Sequence, residues 1–143
     1  MGTINLKNVR KVFGDHVIIP GANLEIRKGE FIVFVGPSGC GKSTLLRMIA
    51  GLEDLSGGVI EIEGRDVSDV GPSERGLSMV FQSYALYPHM SVRNNIAFPL
   101  KVQRRGAAAV KKRVNDMVEM VGLGGHGHKR PAALSGGQQQ RVA

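Results

Sequence analysis

The stretch Gly36-Pro37-Ser38-Gly39-Cys40-Gly41-Lys42-Ser43-Thr44 constrains this chain more than any other. It satisfies the spacing G-x-x-x-x-G-K-[ST], in which a glycine-rich turn feeds directly into a helix. The flanks agree with the motif. Phe31-Ile32-Val33-Phe34-Val35 is a continuous apolar run, which predicts a strand buried on both faces of a parallel sheet. From Lys42 to Ala50 the apolar residues Leu45, Leu46, Ile49 and Ala50 recur at helical spacing, and Gly51 supplies the stop. Strand, glycine loop and helix in that order make a nest for negative charge from backbone N–H groups and a helix N-terminus. The backbone from Gly36 through Ser38, Gly39, Cys40 and Gly41 to Thr44 is expected to wrap phosphate. Lys42 would reach β- and γ-phosphates, and the Ser43 hydroxyl would ligate Mg²⁺. Cys40 is expected to be inert packing within that loop.

With 143 residues the chain is one domain at most, and 42% hydrophobic with 22% charged residues is ordinary for a globular protein. No apolar run reaches the ~18 residues a membrane helix needs, and no signal-peptide pattern opens the chain, so a soluble, intracellular protein is expected. One cysteine cannot form an internal disulfide. The net charge of +7 raises the question of nucleic acid. The basic residues are scattered, however, and the densest groups, Gln103-Arg104-Arg105 and Lys111-Lys112-Arg113, have no aromatic residues interleaved for stacking. Solvated helix faces and phosphate attraction are the expected use of that charge, and no nucleic-acid partner is expected.

Short alternating runs predict β structure in the first third: around Ile4, Leu6 and Val9, at Val17–Ile19, and from Ala22 to Arg27. Ile60 and Ile62 alternate with Glu61 and Glu63 before a turn at Gly64, and Leu77–Phe81 is a further strand candidate running into Gln82. The character changes at Tyr87-Pro88. Ser91 can cap a helix that runs through Ile96 before Pro99 disrupts it. A stronger helix follows, with Val110, Val114, Met117, Val118 and Val121 on one face and Gly122 at its end. After a glycine- and histidine-containing loop, Ser135 and Gln138 have the spacing of a capping box opening a last helix.

A phosphate loop followed by Leu134-Ser135-Gly136-Gly137-Gln138 resembles the ATP-binding subunits of ABC transporters, whose signature is LSGGQ. The resemblance covers essentially the whole chain. Within the family, Phe31–Gly51 and Ser78–His89 are most similar to the bacterial carbohydrate-importer ATPases, which serve maltose, polyols, α-glucosides and glycerol phosphate. It implies an α/β P-loop NTPase core with an antiparallel β subdomain (residues 1–87) and a helical signature subdomain (residues 88–143), cut before the Walker B strand. The implied cofactors are ATP and Mg²⁺. The implied role is coupling of ATP hydrolysis to solute import from the cytoplasmic face of the inner membrane, as a peripheral subunit.

The same resemblance assigns roles. Phe13 stands where the family places an aromatic against adenine. Gln82 matches the glutamine that reaches Mg²⁺ and the attacking water. Tyr84–Val92 resembles the surface that receives a helix of the transmembrane permease subunits. Ser135, Gly136, Gly137 and Gln138 would contact ATP bound by the opposite subunit of a homodimer or of a paired ATPase. Gln139 replaces a usual arginine, a surface change without an evident meaning. No apolar run ends in Asp-Glu, and none of His16, His89, His126 and His128 occupies the switch position. The 143-residue chain by itself is therefore expected to be inactive and poorly stable. Two rivals stay open: a catalytically dead ATP-binding remnant, and a non-transport ATPase of the same superfamily, which would lack the Tyr84–His89 segment.

Overall fold

A computed structural model describes residues 3–143. Its contacts divide the chain into two compact units, Met1–Met79 and Val80–Ala143.

The first unit is built on an antiparallel hairpin. Strand β1 (Ile4–Phe13) turns at Gly14-Asp15 into β2 (His16–Ile26), in a register that pairs Ile4 with Ile26, Leu6 with Leu24 and Phe13 with His16. Strand β3 (Gly57–Ile62) lies along the other side of β1, with Leu6 opposite Ile60, and β4 (Arg65–Asp66) returns beside it. The order is β2-β1-β3-β4. Alternation turns Leu6, Ile60 and Ile62 inward, where they meet Met48 and Ile49 of helix α1 (Lys42–Ala50) together with Val9, Ile19 and Val67. One helix thus covers a sheet, and its N-terminus is where the glycine loop ends. Its C-terminus stops at Gly51, whose left-handed φ of 77° lets its amide reach back to the carbonyls of Arg47 and Met48.

Two expected strands do not form. Phe31–Val35 and Leu77–Phe81 are irregular, although their residues favour β structure. A strand exists only where a neighbour pairs its N–H and C=O groups, and none of the four strands of this sheet lies along either segment. Phe31 and Val35 are each 90% exposed, which is the reverse of the expected burial on both faces.

The second unit is helical: α2 (Val92–Val102), α3 (Ala107–Met120) and α4 (Gly136–Val142). Val110, Val114 and Val118 recur at helical spacing on α3 and pack with Val92, Ala97, Leu123, Leu134 and Val142. Ser91 caps α2 as expected, its hydroxyl accepting from the Asn94 amide. The expected break at Pro99 is not seen, and α2 continues through it to Val102. A proline inside a helix costs about 3 kcal/mol through a lost bond and a steric clash. Ala97 is buried and Leu100 packs on the same cluster, so packing on both sides of Pro99 offsets that cost.

Candidate functional site

The phosphate loop takes the shape its sequence requires. Gly41 is the N-cap residue of α1 at φ 93°, a left-handed conformation, and a Cβ there would come within 3.2 Å of the Ile18 and Ile19 side chains. Only glycine meets both demands. Because α1 starts at Lys42, the amides of Lys42, Ser43 and Thr44 have no carbonyl one turn earlier in the helix, and no side chain caps them. They face a hollow of about 350 Å³ lined by Ser38, Gly39, Gly41, Lys42, Ser43 and Thr44. No acidic residue occupies the first turn of α1, so its partial positive charge is unopposed there.

Lys42 is folded over this loop. Its ammonium donates to the carbonyls of Gly36 (2.7 Å) and Pro37 (2.6 Å), and the Cys40 sulfur lies 3.5 Å away. The cation is therefore held at the cradle by weak neutral acceptors. A phosphate oxygen, which forms charge-assisted bonds of roughly twice the strength, can displace them. The Ser43 hydroxyl is exposed on the cradle wall. Cys40 departs from expectation: its thiol is exposed, not packed away, and lies so close to Gly36 that a Cβ on Gly36 would sit 2.9 Å from the sulfur.

Phe13 ends β1 and is 46% exposed. Ile18 to Ala22 of β2, Val33 to Val35, and the loop residues Cys40 to Lys42 with Leu45 line a second, open groove of about 620 Å³ beside the cradle. Phe13 is not among its lining residues.

Gln82, the Tyr84–Val92 segment and Ser135–Gln138 all belong to the second unit. Gln82 is exposed and opens a turn in which Tyr84 (φ 60°) and Ala85 (φ 49°) are both left-handed. Such strain in two successive non-glycine residues is typical of functional turns. The capping box is formed: the Gln138 amide donates to the Ser135 hydroxyl oxygen at 3.3 Å, and the Ser135 amide donates to Oε1 of Gln138 at 3.0 Å. The Ser135 O–H remains able to donate, and so does the Gln138 side-chain NH₂, since the cap uses only its Oε1.

Four residues were missed as organisers. Arg75 donates to the carbonyls of Val70, Met48, Ile49 and Ser68, closing the C-terminal end of α1. Burial pulls its guanidinium downward from its ordinary range, and Asp54 and Asp69 oppose that. Asn95 is buried and binds the backbone of Tyr87, Met90 and Ser91, fixing the Tyr84–Val92 segment against α2. Its signal was a polar residue three places after Val92, on the inward face of an amphipathic helix. Gln139, far from being a surface change, donates to Pro131 and Leu134 and anchors the start of α4. Lys11 is buried, and no sequence pattern points to it.

A glycine cradle at the head of a helix, with a lysine bent over it, defines a phosphate-binding α/β domain of the P-loop type. Residues 19–143 match the family described as ABC transporter, and the chain belongs to that family. Among curated relatives, it is 57% identical over 143 residues to the maltose/maltodextrin import ATP-binding protein MalK of Yersinia pestis, covering 100% of this chain and 39% of the relative. It is 55% identical over 138 residues to the alpha-glucoside transport ATP-binding protein AglK of Rhizobium meliloti (96% of this chain, 38% of the relative). With the sn-glycerol-3-phosphate import ATP-binding protein UgpC 1 of Rhizobium johnstonii it shares 53% over 143 residues (100% and 39%). The chain thus spans about two fifths of the length of these relatives. Among the described residues, no helix is long and apolar enough to cross a membrane.

Proposed function

We propose that this chain is the nucleotide-binding portion of an ATP-driven importer for a carbohydrate or polyol, acting at the cytoplasmic face of the bacterial inner membrane. The observation that carries the reading is the 350 Å³ cradle of unpaired helix amides with the Lys42 ammonium bent over it. The relatives' names, all of import or transport ATP-binding proteins, supply the solute class.

In this reading the cradle amides and Lys42 hold the β- and γ-phosphates of ATP, and Phe13 stacks on the adenine. Ser43 on the cradle wall offers a hydroxyl ligand to a nucleotide-bound Mg²⁺, and the family resemblance supplies Gln82 as the second residue toward it. Such an ion takes its remaining ligands from phosphate oxygens and water, so it needs no protein cage, and the described residues form no cluster of three acidic, His or Cys side chains. When bound, the ion neutralises charge on the β- and γ-oxygens. Gln82 orients the attacking water. Ser135 and the Gly136 and Gly137 amides of the helical signature subdomain complete the γ-phosphate site of a second ATPase subunit. The segment fixed by Asn95, Tyr84–Val92, receives the transmembrane permease subunits.

The test is Gly137→Asp, which adds a negative charge where the partner's γ-phosphate would lie. ATP affinity of the cradle is expected to stay within about twofold. Hydrolysis by the assembled transporter in vesicles is expected to fall about 100-fold or more, since phosphoryl transfer depends on positioning and charge stabilisation. Hydrolysis at the parent rate would refute the role, and equal loss of binding and hydrolysis would point to a folding defect.

A further inference from the structure

Lys11 and Phe13 are two residues apart near the end of β1, where its register with β2 is irregular, and their side chains meet. They are treated very differently. Lys11 is 7% exposed and Phe13 46%. The Lys11 ammonium is held on two sides, by Glu53 Oε1 at 2.6 Å and by the Asp54 carbonyl at 2.7 Å, both in the loop that follows α1. From there it lies 4.6 Å from the centroid of the Phe13 ring. A buried ammonium is costly unless paired, and the carboxylate and carbonyl account for its burial. They do not account for its place against an aromatic ring that is itself half open to solvent.

We propose that Lys11 is a positioning residue for the nucleotide base, acting through Phe13. This rests on the reading of Phe13 as the adenine platform. A cation against one face of an aromatic ring is attracted by the ring's negative quadrupole. It does two things here. It fixes the ring before any ligand arrives, so less ordering remains to be lost on binding. It also draws π density toward the inner face, so the outer face repels the π cloud of a stacked purine less. The ion pair with Glu53 ties this platform to the loop after α1, the same helix whose N-terminus forms the phosphate cradle. Base and phosphate sites of the first unit are thereby referred to one rigid element.

Titration of the full chain with ATP and, separately, with inorganic tripolyphosphate separates this role from a structural one. Tripolyphosphate has the phosphates and no base. Lys11→Met is expected to weaken ATP about 3- to 10-fold and to leave tripolyphosphate within about twofold. Lys11→Arg, which keeps the cation, should recover most of the loss. In a Phe13→Ala background the Lys11→Met change should add nothing, because the two act as one unit. Should Lys11→Met fail to fold with Glu53 left unpaired, Lys11→Met combined with Glu53→Met removes the whole pair and is read the same way. Equal weakening of both ligands, or no change in either, would overturn the proposal while leaving Phe13 as a platform. A Phe13→Ala chain that binds ATP normally would instead remove the platform reading itself, and with it the role of Lys11.

Discussion

Arg75 illustrates how much of this molecule rests on side chains that read as unremarkable in the sequence. It is 7% exposed and offers its donors to four backbone carbonyls, two of them at the C-terminus of α1. A cation there also complements the helix dipole. The left-handed Gly51 leaves it room: a Cβ on Gly51 would lie 2.6 Å from the Arg75 Nε. Replacing Arg75 by Met keeps volume but strands those acceptors in the interior. A loss of about 2–4 kcal/mol is expected in denaturant unfolding, with an unchanged dependence on denaturant concentration. A midpoint equal to the parent's would show that the four bonds are worth nothing net. Lys42 and Ser43 were legible because their ligand dictates a fixed local spacing. Arg75, Lys11 and Asn95 were not, because their partners are backbone carbonyls and loop residues brought near only by folding. Backbone carbonyls leave no trace in residue identity.

At the scale of elements, legibility followed how locally each one is determined. Helix α1 begins and ends where its glycines place it, and the Ser135 and Gln138 capping box formed as its spacing predicted. The two apolar strand candidates failed because pairing is not local, and α2 outlasted Pro99 because packing outweighed one lost bond. The β3–β4 corner shows a further local device. The Ser68 hydroxyl donates to Asp66 Oδ1 at 2.7 Å and accepts from the Ile60 amide at 3.1 Å, and the Ser68 amide donates to the same carboxylate oxygen at 2.9 Å. These bonds favour the ionised acid, so Asp66 titrates below the ordinary carboxylate range; desolvation opposes them, and Lys7 adds a lesser downward pull. A depressed acid contributes stability above its unfolded value and loses it as pH falls through its folded value. Asp66→Asn should therefore be less stable than the parent near neutrality. The difference should shrink as pH falls through and below the ordinary carboxylate range, where the parent's carboxylate becomes protonated. Thermal midpoints of the two chains across that range check this, and a constant difference would contradict it.

For the molecule as a whole, the charge is unevenly placed. Residues 1–79 carry nine Lys or Arg against ten Asp or Glu, and residues 80–143 carry ten against two. The excess of +7 therefore belongs wholly to the residues of the helical unit. Within the first unit the sources of attraction for phosphate are Lys42 and the open amides of α1. The central claim is accordingly a local one, and a single substitution tests it. Calorimetric titration of Mg-ATP into the full chain and into its Lys42→Ala variant should give an affinity at least about tenfold weaker for the variant, the loss of one charge-assisted phosphate contact. Equal affinity in the two proteins would contradict the assignment of the cradle to the phosphates of ATP.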